Sequence, residues 1–193
     1  MSNGLTKTKT IVGIDYSLTS PAICITNDKY DLKDTYFHYL SNKKKCQGKF
    51  KHNITGHAHA TYSDPIQRFT QISDWVLDVL APLEQPLHIN LEGYAYGAKG
   101  QGLFQIAENT GILKYRLLED LHYTFKITVP SVIKKGATGK GNADKDKMYE
   151  AFFKETKIDL KKIFDTDKTG NPVSDIVDSY YVAKIGYNGY DER

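Results

Sequence analysis

Apolar strand segments alternate with amphipathic helical segments along most of this chain, and this order limits the folds that it can adopt. Runs rich in β-branched and aromatic residues, which are typical of strands, occupy 10–17, 20–26, 34–40, 87–93 and 123–129. Apolar residues at helical spacing occupy 63–80, 102–121, 145–153 and 174–185. The order β-β-β-α-β-α-β-α-α predicts an α/β fold with a mixed central sheet.

The composition suits one globular domain, because 193 residues with 40% hydrophobic and 25% charged side chains can form a single core. We expect residues 1–9 to be a flexible lead, 10–193 to be the domain, and 41–63 to be a loop insertion. No apolar run reaches the roughly 18 residues of a spanning helix, and the N-terminus lacks the apolar core of a secretory signal. Cys24 and Cys46 are expected to be reduced thiols. We therefore expect a cytoplasmic protein without a membrane partner.

Four acidic residues lie where core packing does not favour a charge. Asp15 follows one apolar strand, Glu92 ends another, and Asp175 and Asp178 are three residues apart on one helix face. Such carboxylates repel one another unless cations neutralise them, and two Mg²⁺ ions about 4 Å apart can clamp a phosphodiester. Each acid also has a structural explanation: a strand-end Asp can cap a turn, and Asp175 complements the dipole of a helix capped by Ser174. The spacing alone leaves both explanations open.

A lysine-rich segment precedes the last two predicted helices. Its lysines are Lys134, Lys135, Lys140, Lys145 and Lys147, and the glycines among them are Gly136, Gly139 and Gly141. Glycine-rich backbone with lysines can hold phosphate oxygens, so we predict contact with a nucleic-acid backbone, with a solvated turn as the alternative. The segment lacks the G-x-x-x-x-G-K-[ST] spacing of a nucleotide-binding P-loop.

Aromatic and histidine residues supply further candidates. Tyr94 and Tyr96, which follow Glu92, are candidates for stacking on an unpaired base, with plain packing as the alternative. His52, His57 and His59 lack the spacing of a zinc site, so we expect a flexible polar loop there. The lysines between 43 and 51 are expected to be solvated.

The helix predicted for 102–121 carries an apolar stripe that we expect to be core. Its residues are Phe104, Ile106, Ala107, Ile112, Leu113 and Leu117. Gly102, Ala107 and Gly111 would also allow a second helix to approach closely.

Five segments together resemble the RuvC family of Holliday-junction resolvases, particularly its phage-encoded relatives, within the RNase H-like superfamily. In chain order they are GIDYSLTSPAI (13–23), LEGYAYG (91–97), GLFQIAENTGIL (102–113), VPSVIKKGATGKGNADKDKMYEAF (129–152) and SDIVDSYYVA (174–183). This resemblance implies an RNase H-like fold, a mixed central β-sheet flanked by α-helices. Residues 41–63 have no counterpart in the family pattern.

The resemblance also implies roles for particular residues. The family's metal-binding catalytic acids correspond to Asp15, Glu92, Asp175 and Asp178. Catalytic lysines near the scissile phosphate correspond to Lys134 and Lys145. The family pattern implies two Mg²⁺ ions per active site, with Mn²⁺ as a substitute, a water nucleophile and no covalent intermediate. It further implies a homodimer that cleaves four-way junctions and other branched DNA, such as three-way junctions or flaps, in the host-cell cytoplasm if the protein is phage-encoded.

Two other functions stay open at this point. A catalytically inactive branched-DNA-binding module would share the fold, but such a paralogue would be expected to lose at least one of the four acids. An actin-like or sugar-kinase-like ATPase also begins with a strand followed by Gly-x-Asp-x-[ST], as residues 13–17 do. That class needs two such domains around its nucleotide, and 193 residues are too few.

Overall fold

The computed structural model describes residues 8–94 and 101–188. Within these ranges the strands are β1 (Thr10–Asp15), β2 (Ala22–Asn27), β3 (Tyr36–Ser41), β4 (Gly48–Phe50), β5 (Ile54–Ala58), β6 (Leu87–Glu92) and β7 (Phe125–Thr128). The helices are α1 (Pro65–Leu80), α2 (Gln101–Glu119), α3 (Pro130–Thr138), α4 (Lys145–Thr156), α5 (Leu160–Ile163) and α6 (Val173–Asn188). Among the described residues, none of these helices combines the length and the apolar character needed to cross a membrane.

The described strands form one seven-stranded sheet in the order β4-β5-β3-β2-β1-β6-β7. Strand β2 runs antiparallel to both of its neighbours, whereas β6 is parallel to β1 and to β7. The sheet is therefore mixed, which confirms the predicted fold class. Because Ile14 of β1 pairs with Leu91 of the parallel strand β6, the residues that follow them end at the same edge of the sheet.

Helices cover both faces of the sheet. One face packs against α1 and α2 through a core that includes Ile14, Ile72, Leu91 and Leu113. The other face packs against α3, α4 and α6 through a core that includes Phe37, Ile133, Phe152 and Tyr180. The period-two alternation of strand side chains divides β1, β2 and β3 between these two cores.

Helix α6 lies directly on the backbone of the central strands. A Cβ atom at Gly13 of β1 would overlap backbone atoms of Ser179 and Ala183 in α6, and one at Gly186 would overlap the side chain of Asn90. The buried Asn90 amide nitrogen donates a hydrogen bond to the Val182 carbonyl oxygen at 2.7 Å. These contacts hold α6 at a close distance from β1 and β6.

The start of α1 agrees with the sequence expectation. Asp64 caps the helix by accepting a hydrogen bond from the Gln67 backbone N–H at 2.9 Å, and Pro65 occupies the first turn. Along the predicted apolar stripe, Phe69, Ile72, Val76 and Leu80 are buried, but Ile66 is exposed.

The expectation of a loop insertion at 41–63 is wrong, because this segment contains β4 and β5. Strand β5 pairs in parallel with β3, and β4 pairs with β5, so both strands extend the sheet. Both strands are short. In β5 the buried residues are Ile54 and Gly56, and a single large apolar residue is too weak a signal to predict a strand from the sequence. His57 therefore belongs to a strand, in contrast to the flexible polar loop expected there.

Two further expectations differ in the basic segment and the last helix. Gly136 lies inside α3, where its missing side chain admits Ile185 of α6, so the turn begins only at Gly139, whose φ of 80° is left-handed. Helix α6 begins at Val173, so Ser174 lies in its first turn and is not the N-cap.

The apolar stripe of α2 is only partly core. Leu113 and Leu117 are buried as expected, but the side chain of Phe104 is 70% exposed and Ile106 is also exposed. Helix α2 reaches the sheet with one face and packs alongside α1, which leaves the opposite face uncovered.

The close packing of α6 predicts a strong effect of a small substitution. We expect Gly13→Ala to lower the free energy of unfolding by at least about 1–3 kcal/mol, because the added methyl group must displace backbone atoms of α6. Urea unfolding monitored by circular dichroism measures this change. Gly170→Ala is the matched control, since Gly170 is exposed outside the helices and strands and a Cβ there meets nothing within 4 Å, so its effect should stay within about 0.5 kcal/mol. Equal effects of the two substitutions would contradict the packing argument.

Candidate active site

Two acids end neighbouring parallel strands at the centre of the sheet. Asp15 is the last residue of β1 and Glu92 is the last residue of β6. Since the preceding residues, Ile14 and Leu91, belong to the core under α1 and α2, strand alternation directs both acids to the opposite face, toward α6.

Helix α6 brings a second pair of acids to the same place. Asp175 and Asp178 lie in its N-terminal part, and Asp175 is only 6% exposed. The same helix sits on the sheet at Gly13, two residues before Asp15, so the α6 acids face the strand-end acids. We call Asp15, Glu92, Asp175 and Asp178 the acidic cluster.

Burial and mutual repulsion disfavour the ionised forms throughout the acidic cluster. Burial raises the pKa of Asp15 well above its ordinary value, and the charges of Glu92, Asp175 and Asp178 raise it further. Burial also raises the pKa of Glu92, and a hydrogen bond shared with Asp15 offsets part of that rise. The pKa of Asp178 is raised to about 7 by burial and then by Glu92 and Asp175. Burial raises the pKa of Asp175 to about 6.

Two lysines from the basic segment adjoin the acidic cluster. The ammonium group of Lys145, at the start of α4, donates a hydrogen bond to the Ser174 hydroxyl at 3.2 Å, and its charge lowers the pKa of Asp175 and Asp178. The charge of Lys134 in α3 lowers the pKa of Glu92 and Asp178. The structure thus brings both lysines and all four acids of the sequence prediction to one site.

The chemical type of these side chains suits a divalent cation, although in the described residues they are not arranged to bind one ion together. All four donors are carboxylates, the ligand class that Mg²⁺ prefers, and the buried Asp175 Oδ2 has no hydrogen-bond partner. In the described part of the chain, no three His, Cys, Asp or Glu side chains stand in positions that would hold an ion together. Binding would therefore require the carboxylates to rotate toward the ion.

The other predicted DNA-binding residues are exposed on the surface or lie outside the described residues. Lys135 and Lys140 are exposed, and Lys147 pairs with Asp144 at 3.2 Å. Tyr94 is 40% exposed, directly after the end of β6. Tyr96 lies outside the described residues, and the roles of all these residues stay predictions.

The sequence interpretation missed a serine beside the acids and the contacts that position it. The buried Ser20, in the β1–β2 turn, lies close enough to Asp175 to lower its pKa. Arg68 of α1 donates a hydrogen bond to the Leu18 carbonyl at 2.6 Å, and His59 bonds the Thr19 carbonyl at 2.9 Å. Residues distant in sequence thus fix this turn, which no local pattern indicates.

The raised pKa values predict an unusual dependence of stability on pH. Asp178 has an ordinary pKa of 3.8 and a folded-state value of about 7, so between these values the folded protein holds a proton that the unfolded chain releases. The free energy of unfolding should therefore fall as the pH rises through this window. Without divalent cations, we expect Asp178→Asn to raise Tm at pH 7.5 by about 2–4 °C, equivalent to about 1 kcal/mol. The Tm of this variant should also depend less on pH than that of the unaltered protein.

Differential scanning calorimetry between pH 5 and 8, in EDTA, tests this prediction. Glu150→Gln is the control, because it removes one negative charge from the exposed surface of α4. A lower Tm for Asp178→Asn at pH 7.5, or the same gain from Glu150→Gln, would contradict the electrostatic argument.

Comparison with known proteins identifies the fold. No family model matches the sequence, and no curated protein sequence matches it. A structure of Thermus thermophilus RuvC in complex with a Holliday junction substrate matches with a TM-score of 0.62 at 15% identity, over 95% of this chain and 96% of that chain. Another structure of RuvC from the same organism matches with a TM-score of 0.58 at 12% identity, over 94% and 96%.

A third match is the yeast mitochondrial Holliday junction resolvase. Its TM-score is 0.51 at 12% identity, over 94% of this chain and 78% of that chain. The agreement over nearly the full chain shows that this protein has the fold of RuvC, an RNase H-like fold, as the sequence resemblance implied.

Proposed function

We propose that this chain is a metal-dependent endonuclease that hydrolyses phosphodiester bonds in four-way junctions and other branched DNA. The observation that carries the proposal is the convergence of the acidic cluster from β1, β6 and α6, with Lys134 and Lys145 beside it. The fold supports the same proposal, since one matched structure is RuvC bound to a Holliday junction substrate.

The acidic cluster would hold Mg²⁺, for which Mn²⁺ would substitute, with two ions per site. Bound cations would supply Lewis acidity that activates water and neutralises charge on the phosphate. The raised pKa values of Asp15 and Asp178 support this assignment, because four crowded carboxylates stay ionised near neutral pH only with compensating positive charge.

The lysines beside the acidic cluster have a separate role. As water attacks phosphorus and the bond to the leaving oxygen breaks, negative charge shifts among the phosphate oxygens and onto the leaving oxygen. The ammonium groups of Lys134 and Lys145 would stabilise that charge, since fixed positive groups act strongly in a partly dehydrated site. The hydrogen bond from Lys145 to Ser174 would hold its ammonium group next to the first turn of α6.

A wider basic surface would hold the DNA backbone. The exposed Lys135 and Lys140 lie on α3 and on the turn after it, and Lys147 lies in α4. They would make phosphate contacts that position the DNA without reading its sequence. Tyr94, exposed just after Glu92, would stack on a base near the branch point.

We further propose that the protein acts as a homodimer through the uncovered face of α2. Phe104, Gly111, Tyr115 and Leu118 are spaced along one helical face, and Phe104 and Tyr115 are 70% and 65% exposed. A Cβ atom at Gly111 would meet nothing within 4 Å, so there is room for a second helix. A two-fold axis would let two active sites meet two strands of one junction.

The inactive DNA-binding module is the second candidate function. It predicts binding of a four-way junction without Mg²⁺-dependent nicking, whereas the endonuclease predicts both. The retention of the complete acidic cluster supports the endonuclease.

The central prediction concerns Asp15. We expect Asp15→Asn to abolish Mg²⁺-dependent cleavage of a synthetic four-way junction, a fall of at least about a thousandfold, because one carboxylate charge is lost from the site. Junction binding in Ca²⁺ should stay unchanged, since the substitution barely alters shape. Single-turnover cleavage of end-labelled strands and a gel-shift titration measure the two quantities.

The controls for this experiment separate metal, substrate and site. Glu150→Gln should cleave like the unaltered protein, EDTA should stop cleavage, and a linear duplex of the same sequence should stay intact. Near-normal cleavage by Asp15→Asn would refute the proposed active site. Junction binding without any cleavage by the unaltered protein would favour the inactive module.

The proposed dimer predicts a specific effect of charge on α2. We expect Tyr115→Glu to convert the dimer to a monomer, because burying a carboxylate in an apolar interface is costly. Sedimentation velocity at micromolar concentration measures the oligomeric state. Thr70→Glu, on an exposed part of α1, should leave it unchanged. A monomeric unaltered protein would refute this interface.

A further inference from the structure

A cavity lies between the sheet and α1, on the face of the sheet opposite the acidic cluster. Its volume is about 650 Å³, and it is lined by strands β1, β2, β3 and β5 and by the C-terminal half of α1. The cavity lies on the face of the sheet that α1 covers, whereas the acidic cluster lies on the face that α6 covers. Strand β2 separates β1, which carries Asp15, from β3, which carries His38.

Two histidines meet in this cavity. His38 of β3 and His57 of β5 lie on adjacent parallel strands, and Nδ1 of His38 is 3.1 Å from Nε2 of His57. The spacing of His52, His57 and His59 does not match a zinc site, but the sheet brings His38 next to His57.

We propose that His38 and His57 chelate a divalent transition-metal ion of the Zn²⁺ or Ni²⁺ class. Two nitrogens 3.1 Å apart, each about 2.0–2.1 Å from one ion, subtend about 98° there. This angle lies between those of octahedral and tetrahedral coordination. The ring centroids are 5.4 Å apart, so the two nitrogens face each other end to end, and binding would require both rings to turn toward the ion. Imidazole is a preferred ligand for Zn²⁺ and Ni²⁺, and both histidines are held on strands of one sheet.

The protonation state of the pair suits such an ion. Burial lowers the pKa of both rings, that of His38 to about 4 with a contribution from His57, so both are neutral at pH 7. In the hydrogen-bonded pair, one facing nitrogen carries a proton. For both to bind an ion, that proton moves to the other nitrogen of the same ring, with no net release.

The rest of the coordination would come from outside the pair. In the described residues, no third His, Cys, Asp or Glu completes a set of three as the side chains stand. The open cavity admits water, and Asp34 and Asp78 also line it, so their negative charge would favour a cation. Coordination would fasten β5, the strand added beyond β3, to the rest of the sheet.

The protein contains its own reporter for this site. Trp75 is the single tryptophan of the chain, and its ring centroid is 6.0 Å from that of His57. Because Ni²⁺ is paramagnetic and quenches nearby indole fluorescence, we expect saturable quenching at one ion per chain. Zn²⁺ should reverse the quenching, and millimolar Mg²⁺ should not, since Mg²⁺ prefers oxygen ligands.

Substitutions test the assignment. His38→Gln and His57→Gln should each raise the apparent Kd of Ni²⁺ in the quenching titration at least about tenfold. His59→Gln is the control and should leave this Kd unchanged, because the His59 ring bonds the Thr19 carbonyl. Asp15→Asn should also leave the quenching unchanged, which separates this site from the acidic cluster. In buffer that contains no other metal ion, added Zn²⁺ should raise the Tm of the unaltered protein. It should not raise the Tm of a double variant that combines His38→Gln and His57→Gln.

A measurement on the unaltered protein guards against misfolded variants. Ni²⁺ at the pair should broaden the NMR signals of the His38 and His57 rings before those of His122. The proposal would be overturned if the quenching did not saturate, or if a folded double variant still showed it. It would also be overturned if the NMR signals of other residues broadened before those of His38 and His57.

Discussion

The close approach of α6 to the central strands is the constraint on which the candidate site depends. Gly13 and Gly186 remove the side chains that would separate helix from sheet, and Asn90 ties the two together by bonding the Val182 carbonyl and accepting a hydrogen bond from Thr128. Only at this short distance do Asp175 and Asp178 come within electrostatic range of Asp15. A bulkier residue at Gly13 would move the acids apart as well as loosen the core.

The acidic cluster opposes the stability of the fold that holds it. Dense packing buries Asp175 and partly buries Asp15, Glu92 and Asp178, and the pKa values of all four rise because their carboxyl groups are dehydrated and, for most of them, crowded. Lys134 and Lys145 compensate in part. The charge that remains uncompensated is negative, so under the proposed function bound cations would offset it and would in turn attract the phosphates of DNA.

The edge of the sheet beyond β3 carries a separate set of interactions. Strands β5 and β4 extend the sheet, and the segment that follows them sends His59 to the turn beside the acidic cluster. The same extension brings His57 to His38. The segment 41–63 is thus integrated into the sheet. It contacts the β1–β2 turn through His59 and lines the cavity of the histidine pair through His57.

The local pattern of residues was enough to predict the fold class and to mark the acids that cluster. Strand alternation and helical periodicity are local properties, so most elements could be predicted, and Asp15 and Glu92 stand out because each ends an apolar strand. The pattern also indicated Lys134 and Lys145, although only through a family resemblance.

Tertiary structure decided the features that depend on residues far apart in the chain. Strand β5 forms because β3 offers it a partner, and β4 in turn pairs with β5. Gly136 lies within a helix, where Ile185 of α6 occupies the space that a side chain would need. Phe104 is exposed because α2 turns a different face to the sheet. The pairing of His38 with His57 and the support of the β1–β2 turn by Arg68 likewise join residues 19 to 50 positions apart. Such contacts follow from strand order and helix packing, which no local pattern of residues encodes.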